Sequence, residues 1–186
     1  MAKPKTPIGR LSFPALFVAT KPKGDNNAEP KYNMTLIMDK AAQATPEFKA
    51  MKDSVAAALL DKFKTAPNKW KSPFLTTKDL DEVPDGYDAD CVFVRMSSKT
   101  KPGVVGPNPQ FPIEDADEAY AGCYVRVSYN VYAWDHPTGG KGVSIGLGNV
   151  QKIKDGQPFG SRTNPEDDFD QVEGGESDPH AEMFKV

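Results

Sequence analysis

The stretch Tyr124–Trp134, YVRVSYNVYAW, carries residue types whose spacing suits the binding of a flexible polyanion. Read at a period of two, Cys123, Val125, Val127, Tyr129, Val131 and Ala133 form an apolar face. Tyr124, Arg126, Ser128, Asn130, Tyr132 and Trp134 form the other. A strand rises roughly 3.3 Å per residue, so the second face spreads aromatics, a guanidinium and an amide over about 30 Å. Aromatic rings stack on any nucleobase, Arg and Lys neutralise phosphates, and an amide pairs with base edges. Together these serve sequence-tolerant binding of single-stranded nucleic acid.

The same split of Cys91–Met96, CVFVRM, turns Val92, Val94 and Met96 inward and presents Phe93 and Arg95, with Lys99 and Lys101 following. The expected stacking residues are therefore Phe93, Tyr124, Tyr132 and Trp134. The expected phosphate ligands are Arg95, Lys99, Lys101, Arg126 and Lys141, with Asn130 at base edges. A basic arm, Lys3, Lys5 and Arg10, with Lys21, Lys23 and Lys31 beyond it, extends the phosphate track or is simply a solvated terminus. Two alternatives stand beside this reading. Aromatics favour pleated surfaces in any case, and a helix or long loop could cover the face. The face could also dock a protein, which would make the chain an interaction module.

Catalytic signatures are weak. Thr138–Ser144, TGGKGVS, lacks the spacing of a phosphate loop and a helix after it, and reads as a hairpin turn. Asp85, Asp88 and Asp90, and the run Glu114, Asp115, Asp117 and Glu118, match no calcium-loop pattern. A metal-dependent nuclease would use Asp85, Asp88, Asp90 or Glu114; otherwise both clusters are solvated loops. His136 and His180 have no partner at zinc-site spacing, and no nucleophile, base and orienter stand in an arguable arrangement. The sequence predicts no enzyme, no metal and no cofactor.

The elements that must position these residues follow from periodicity and punctuation. Arg10–Thr20 reads as a strand, with Pro14 arguing for an edge or a bulge. Lys31–Met38 alternates, with Tyr32, Met34, Leu36 and Met38 on one face and Asn33 and Thr35 on the other. Thr45 as N-cap, Pro46 in the first turn and apolar Phe48, Met51, Val55, Leu59 and Phe63 predict one amphipathic helix ending before Pro67. Cys91–Met96, Gly122–Trp134 and Val143–Ile153 read as three more strands, with Gly146 and Gly148 marking a bulge or close backbone approach. Long polar connections, Asn68–Asp90 and Ser97–Tyr120, lie between them; loops of that length are usually functional. The fold class is mainly β with one main α-helix. The element order suits an OB-fold-like five-stranded Greek-key barrel with long loops.

The chain has 186 residues and a net charge of −3, which hides an asymmetry. From Asn164 onward eight carboxylates face one lysine, a net −7, which leaves +4 on residues 1–163. The expected organisation is a folded domain over 1–163 and a flexible, disordered acidic tail over 164–186. In the tail, Asp167, Asp168, Phe169, Asp170 and Phe184 are the residues of a pseudo-ligand that would compete with a polyanion for the basic body; the alternative is a tail that only solubilises the domain. The amino-terminal MAKPKTPIGR has no apolar region of a secretory signal, and no apolar run approaches the ~20 residues that span a bilayer. The two cysteines, Cys91 and Cys123, sit in apolar runs and read as buried thiols.

Several ordered blocks carry a family resemblance. YAGCY (Tyr120–Tyr124), KGV (Lys141–Val143), GLGNVQK (Gly146–Lys152), DGQP (Asp155–Pro158), GSR (Gly160–Arg162) and EDDF (Glu166–Phe169) are similar to phage-encoded single-stranded DNA-binding proteins. GRLSFPALF (Gly9–Phe17), KYNMTLIMDK and PGVV (Pro102–Val105) fit too. The resemblance implies an OB-fold protein without enzymatic activity that coats single-stranded DNA during phage replication, in the cytoplasm of the infected bacterium. It also implies an acidic tail that competes with DNA and contacts phage replication proteins. Those tails often end in an aromatic; here Phe184 is followed by Lys185 and Val186.

Overall fold

The alternation in KYNMTLIM and YVRVSYNVYAW becomes two walls of a barrel in the computed structural model, which describes residues 2–160. The strands are β1 (Gly9–Thr20), β2 (Lys31–Met38), β3 (Leu75–Thr76), β4 (Val92–Ser98), β5 (Val104–Val105), β6 (Tyr124–His136) and β7 (Gly140–Lys154). A short α1 (Lys40–Gln43) and the long α2 (Pro46–Phe63) lie between β2 and β3. Neighbours run β4–β2–β1–β6–β7, and a parallel pairing of β4 with β7 joins the two ends. The five long strands thus close into the expected OB-fold-like Greek-key barrel, with β1–β6 and β4–β7 joined through two residue pairs each. The two-residue strands β3 and β5, inside the long connections, have no period from which they could be read.

Inside the barrel the apolar halves of the alternating strands meet: Leu11, Met34, Leu36, Val94, Met96, Val125, Val127, Tyr129, Ile145 and Val150 are all buried. The helix α2 is set up as its sequence predicts. The Thr45 hydroxyl accepts from the Phe48 amide at 3.3 Å, Pro46 opens the first turn, and Lys64 at φ +64° ends it. Its buried stripe, Phe48, Met51, Val55 and Leu59, packs mainly against β6.

A second, smaller cluster lies on the outside of the barrel. Ile37, Tyr87, Cys91 and Phe93 pack together, with Leu75, Leu80 and Phe159 against them. The Tyr87 ring meets Phe93 edge-on at 5.1 Å, and its hydroxyl donates to Ser12 Oγ at 3.1 Å. The connection before β4 therefore covers the lower outer face of β1, β2 and β4.

Two blocks that carry the family resemblance fasten the end of β7. The Tyr120 hydroxyl donates to Asp155 Oδ1 at 3.0 Å and accepts from the Gly156 amide at 3.2 Å. Gly122, at φ +111°, lies so close to the Gln157 carbonyl that a side chain there would collide with it. The Arg10 guanidinium donates to the carbonyls of Gly122 and Gln157 and stacks on Phe159 at 4.3 Å. The YAGCY and DGQP segments thus act as a latch.

Candidate nucleic-acid interface

The outer face of the β6–β7 hairpin has a floor without large side chains. On β7 the outward positions are Gly142, Ser144 and Gly146, opposite Trp134, Tyr132 and Asn130 of β6. A Cβ at Gly142 would run into the Trp134 ring, and one at Gly146 into the Asn130 amide. Trp134 and Asn130 therefore lie down over bare backbone. Trp134 is held there by its Nε1, which donates to Ser144 Oγ at 2.9 Å. Tyr132 remains 46% exposed. Gly146, which suggested a close approach in the sequence, is thus the bed on which Asn130 rests, and Gly142, which the sequence did not single out, is the bed of Trp134. Further along, Gly148 and Asn149 face the single residue Ser128, the expected bulge.

The opposite wall comes from elsewhere in the chain. Where β4 pairs with β7, Ser97 stands beside Gly146, so Ser97, Gly146 and Asn130 form one outward row. Arg95, two residues earlier on the same face of β4, is exposed. Beyond β4, Lys71 takes over the pairing with β7. Its amide donates to the Lys141 carbonyl at 2.9 Å, and its carbonyl accepts from Val143 at 3.1 Å. That register puts Lys71 on the same face as Gly142 and Trp134. The expected phosphate ligand Lys141 alternates to the opposite face of β7, where its ammonium sits 4.9 Å from the Phe63 ring of α2, so it falls outside this face. The result is a groove floored by β7, walled by Asn130, Tyr132 and Trp134 on one side and by Arg95, Ser97 and Lys71 on the other.

The remaining expected residues fall outside this groove. Phe93 points away from the barrel interior as expected but is 1% exposed, so its expected role as an exposed stacking ring is corrected: the long connection brings Tyr87 down on top of it. Tyr124 lies at the far end of β6 with Lys154 over its ring at 4.6 Å and Arg10 at 5.4 Å, so cations already occupy it. Arg126 uses Nε to donate to Gln151 Oε1 at 2.8 Å, and Gln151 in turn holds the carbonyls of Gly106 and Pro107. Arg126 and Lys5 line a separate pocket of about 470 Å³ with Pro109, Ser128 and Asn149. The outer face of β6 is thus divided in two. Lys99 is paired with Glu29, and this holds the Glu29 carboxyl below its ordinary value. Lys101 is exposed at the start of the next loop.

Lys71 is the cation that period-two reasoning missed, because it lies in a polar connection; the interleaved KWK of Lys69–Lys71 is the signal that could have found it. Asp167, Asp168, Phe169, Asp170 and Phe184, and the 163/164 boundary, lie outside the described residues. Among the described residues no group of three or more His, Cys, Asp or Glu is placed to hold a metal ion. Asp90, one of the acids considered for a nuclease, pairs with Lys40 at 2.9 Å. No helix among the described residues is long and apolar enough to cross a membrane. Burial pushes the Cys123 thiol up to about 11.

Comparison with known proteins places this geometry. The family described as Enterobacter phage Enc34, ssDNA-binding protein, matches residues 3–181. Putative protein p50 of Acyrthosiphon pisum secondary endosymbiont phage 1 is 28% identical over 162 residues, 81% of this chain and 82% of that protein. The single-stranded DNA-binding protein of bacteriophage Enc34, solved in complex with ssDNA, superposes with a TM-score of 0.70 at 23% identity, over 84% of this chain and 88% of that one. The single-stranded DNA-binding protein gp2.5 of bacteriophage T7 superposes with a TM-score of 0.58 at 16% identity, over 93% and 96% of the two chains. This chain belongs to the family of the ssDNA-binding protein of Enterobacter phage Enc34.

Proposed function

We propose that this chain binds single-stranded DNA without sequence preference and without catalysis, in the groove floored by β7. The observation that supports this most is the pairing of Tyr132 and Trp134 with Arg95 and Lys71 across a floor of Gly142, Ser144 and Gly146, in a member of this family. Bases stack on the two rings, each worth roughly 1–3 kcal/mol. Phosphates lie against Arg95 and Lys71. Trp134 and Asn130 lie over the floor glycines, which keeps the surface low for an approaching strand, and Ser97 and Asn130 meet polar edges of any base. Arg126, Lys5 and the cation-covered Tyr124 serve as an electrostatic extension at the far end of β6. In this reading the protein coats single strands during phage replication or recombination in the infected cell. The acidic segment from Asn164 onward competes for the groove until long DNA displaces it, and is then free for replication proteins.

Fluorescence anisotropy of a labelled oligo-dT, titrated with the protein at several salt concentrations, tests this. Binding should weaken with salt, with a log–log slope of about −0.7 per neutralised phosphate. Absence of binding at low salt would overturn the proposal.

A further inference from the structure

Two non-glycine residues among those described hold a positive φ. Lys64 is accounted for, since it ends α2. Phe13, at φ +44°, is not. It lies in the bulge of β1 between Ser12 and Ala15, followed by Pro14, and its ring is 61% exposed. A bulky residue in the left-handed region is strained, and glycine would sit there freely. An apolar ring facing water compensates nothing. Strain kept at an exposed position points to a ligand that uses it.

The sheet register connects this bulge to the groove. Ala15 lies opposite Asn33, Asn33 opposite Ser97, Ser97 beside Gly146, and Gly146 opposite Asn130. This row crosses all five barrel strands and contains no large apolar side chain. Four strand spacings of about 4.8 Å make it roughly 19 Å long. Arg95 stands exposed beside it. An exposed aromatic stands two residues beyond each end, Tyr132 at β6 and Phe13 at β1, where Phe13 also lines a pocket with Pro84, Asp85 and Phe159.

We infer that Phe13 is a second stacking platform, which takes a base of a DNA strand that crosses the barrel from Trp134 and Tyr132 along this row. The inference rests on the proposed single-stranded DNA binding and adds a residue and a direction to it. Phe13→Gly removes the ring and relieves the positive φ at once. Its melting temperature should therefore rise while its affinity for oligo-dT falls about tenfold. Phe13→Leu, which keeps an apolar side chain, should lose a comparable factor. If both variants bind like wild type while Trp134→Ala weakens binding, the inference is overturned and the proposed function stands. If wild type itself does not bind oligo-dT, the proposed function fails first and the inference with it. If the Phe13 variants change the oligomeric state by light scattering and leave DNA affinity unchanged, Phe13 serves a protein contact and the inference is overturned.

Discussion

Trp134 lies across Gly142, close enough that a Cβ at that glycine would enter the indole ring, and its Nε1 donates to Ser144 Oγ at 2.9 Å. The two residues are direct partners on β6 and β7. A ring bedded on bare backbone is fixed in orientation before any ligand arrives, which spares a base the cost of ordering it.

Replacing both Trp134 and Tyr132 by Ala should weaken oligo-dT binding by about 2 kcal/mol or more. Anisotropy titration, with circular dichroism to show that the variant is folded, checks this. Gly142→Ala should lift the indole from its bed and lower affinity with both rings still present. Wild-type affinity in the folded double variant would remove these rings from the binding site.

The cations should separate by their partners. Arg95→Ala and Lys71→Ala should each reduce the salt slope of binding by about 0.7, the loss of one phosphate contact. Lys99→Ala should cost less, because Glu29 already pairs with that ammonium. Glu29→Gln should strengthen binding at low salt by freeing it. Equal slopes for all these variants would contradict the groove.

Phe93→Ala tests the correction made by the fold. The ring is buried beneath Tyr87, so its removal should cost about 3–5 kcal/mol of stability in urea denaturation. Variant protein that remains folded should bind oligo-dT nearly as wild type does. The opposite pattern, stability intact and binding lost, would return Phe93 to the binding surface.

Alkaline pH should destabilise the fold through Cys123. Burial holds its thiol at about 11, above the ordinary value, so the native state keeps a proton that the unfolded chain releases. Stability owed to this group is complete below about pH 8.5 and is lost as pH rises towards 11. Buried Tyr87 and Tyr129, also raised by desolvation, act with the same sign. The urea midpoint should fall between pH 8 and pH 10, and Ellman's reagent at pH 8 should label Cys123 only after unfolding. A flat midpoint with fast native labelling would argue against a sealed thiol.

Deletion of residues 164–186 should strengthen DNA binding, most at low salt, because eight carboxylates no longer compete with the strand. Equal or weaker binding by the truncated protein would rule out this competition.

The sequence by itself determined the parts governed by local period and composition. Alternation in Lys31–Met38 and Tyr124–Trp134 sorted core from surface, because a strand's side chains alternate whatever surrounds it. Thr45, Pro46 and the apolar spacing to Leu59 determined α2, and Pro14 announced the bulge of β1. Parity says only which residues point away from the core; it does not say what lies over them. That was decided by tertiary placement of segments without period. The connection through Tyr87 buried Phe93, and Lys154 and Arg10 closed over Tyr124. The parallel pairing of β4 with β7 brought Arg95 towards Tyr132, and the Lys71 bridge put a cation beside Trp134. Barrel closure depends on contacts between residues far apart in the chain, and a polar connection carries no periodic mark of the strand it will pair with.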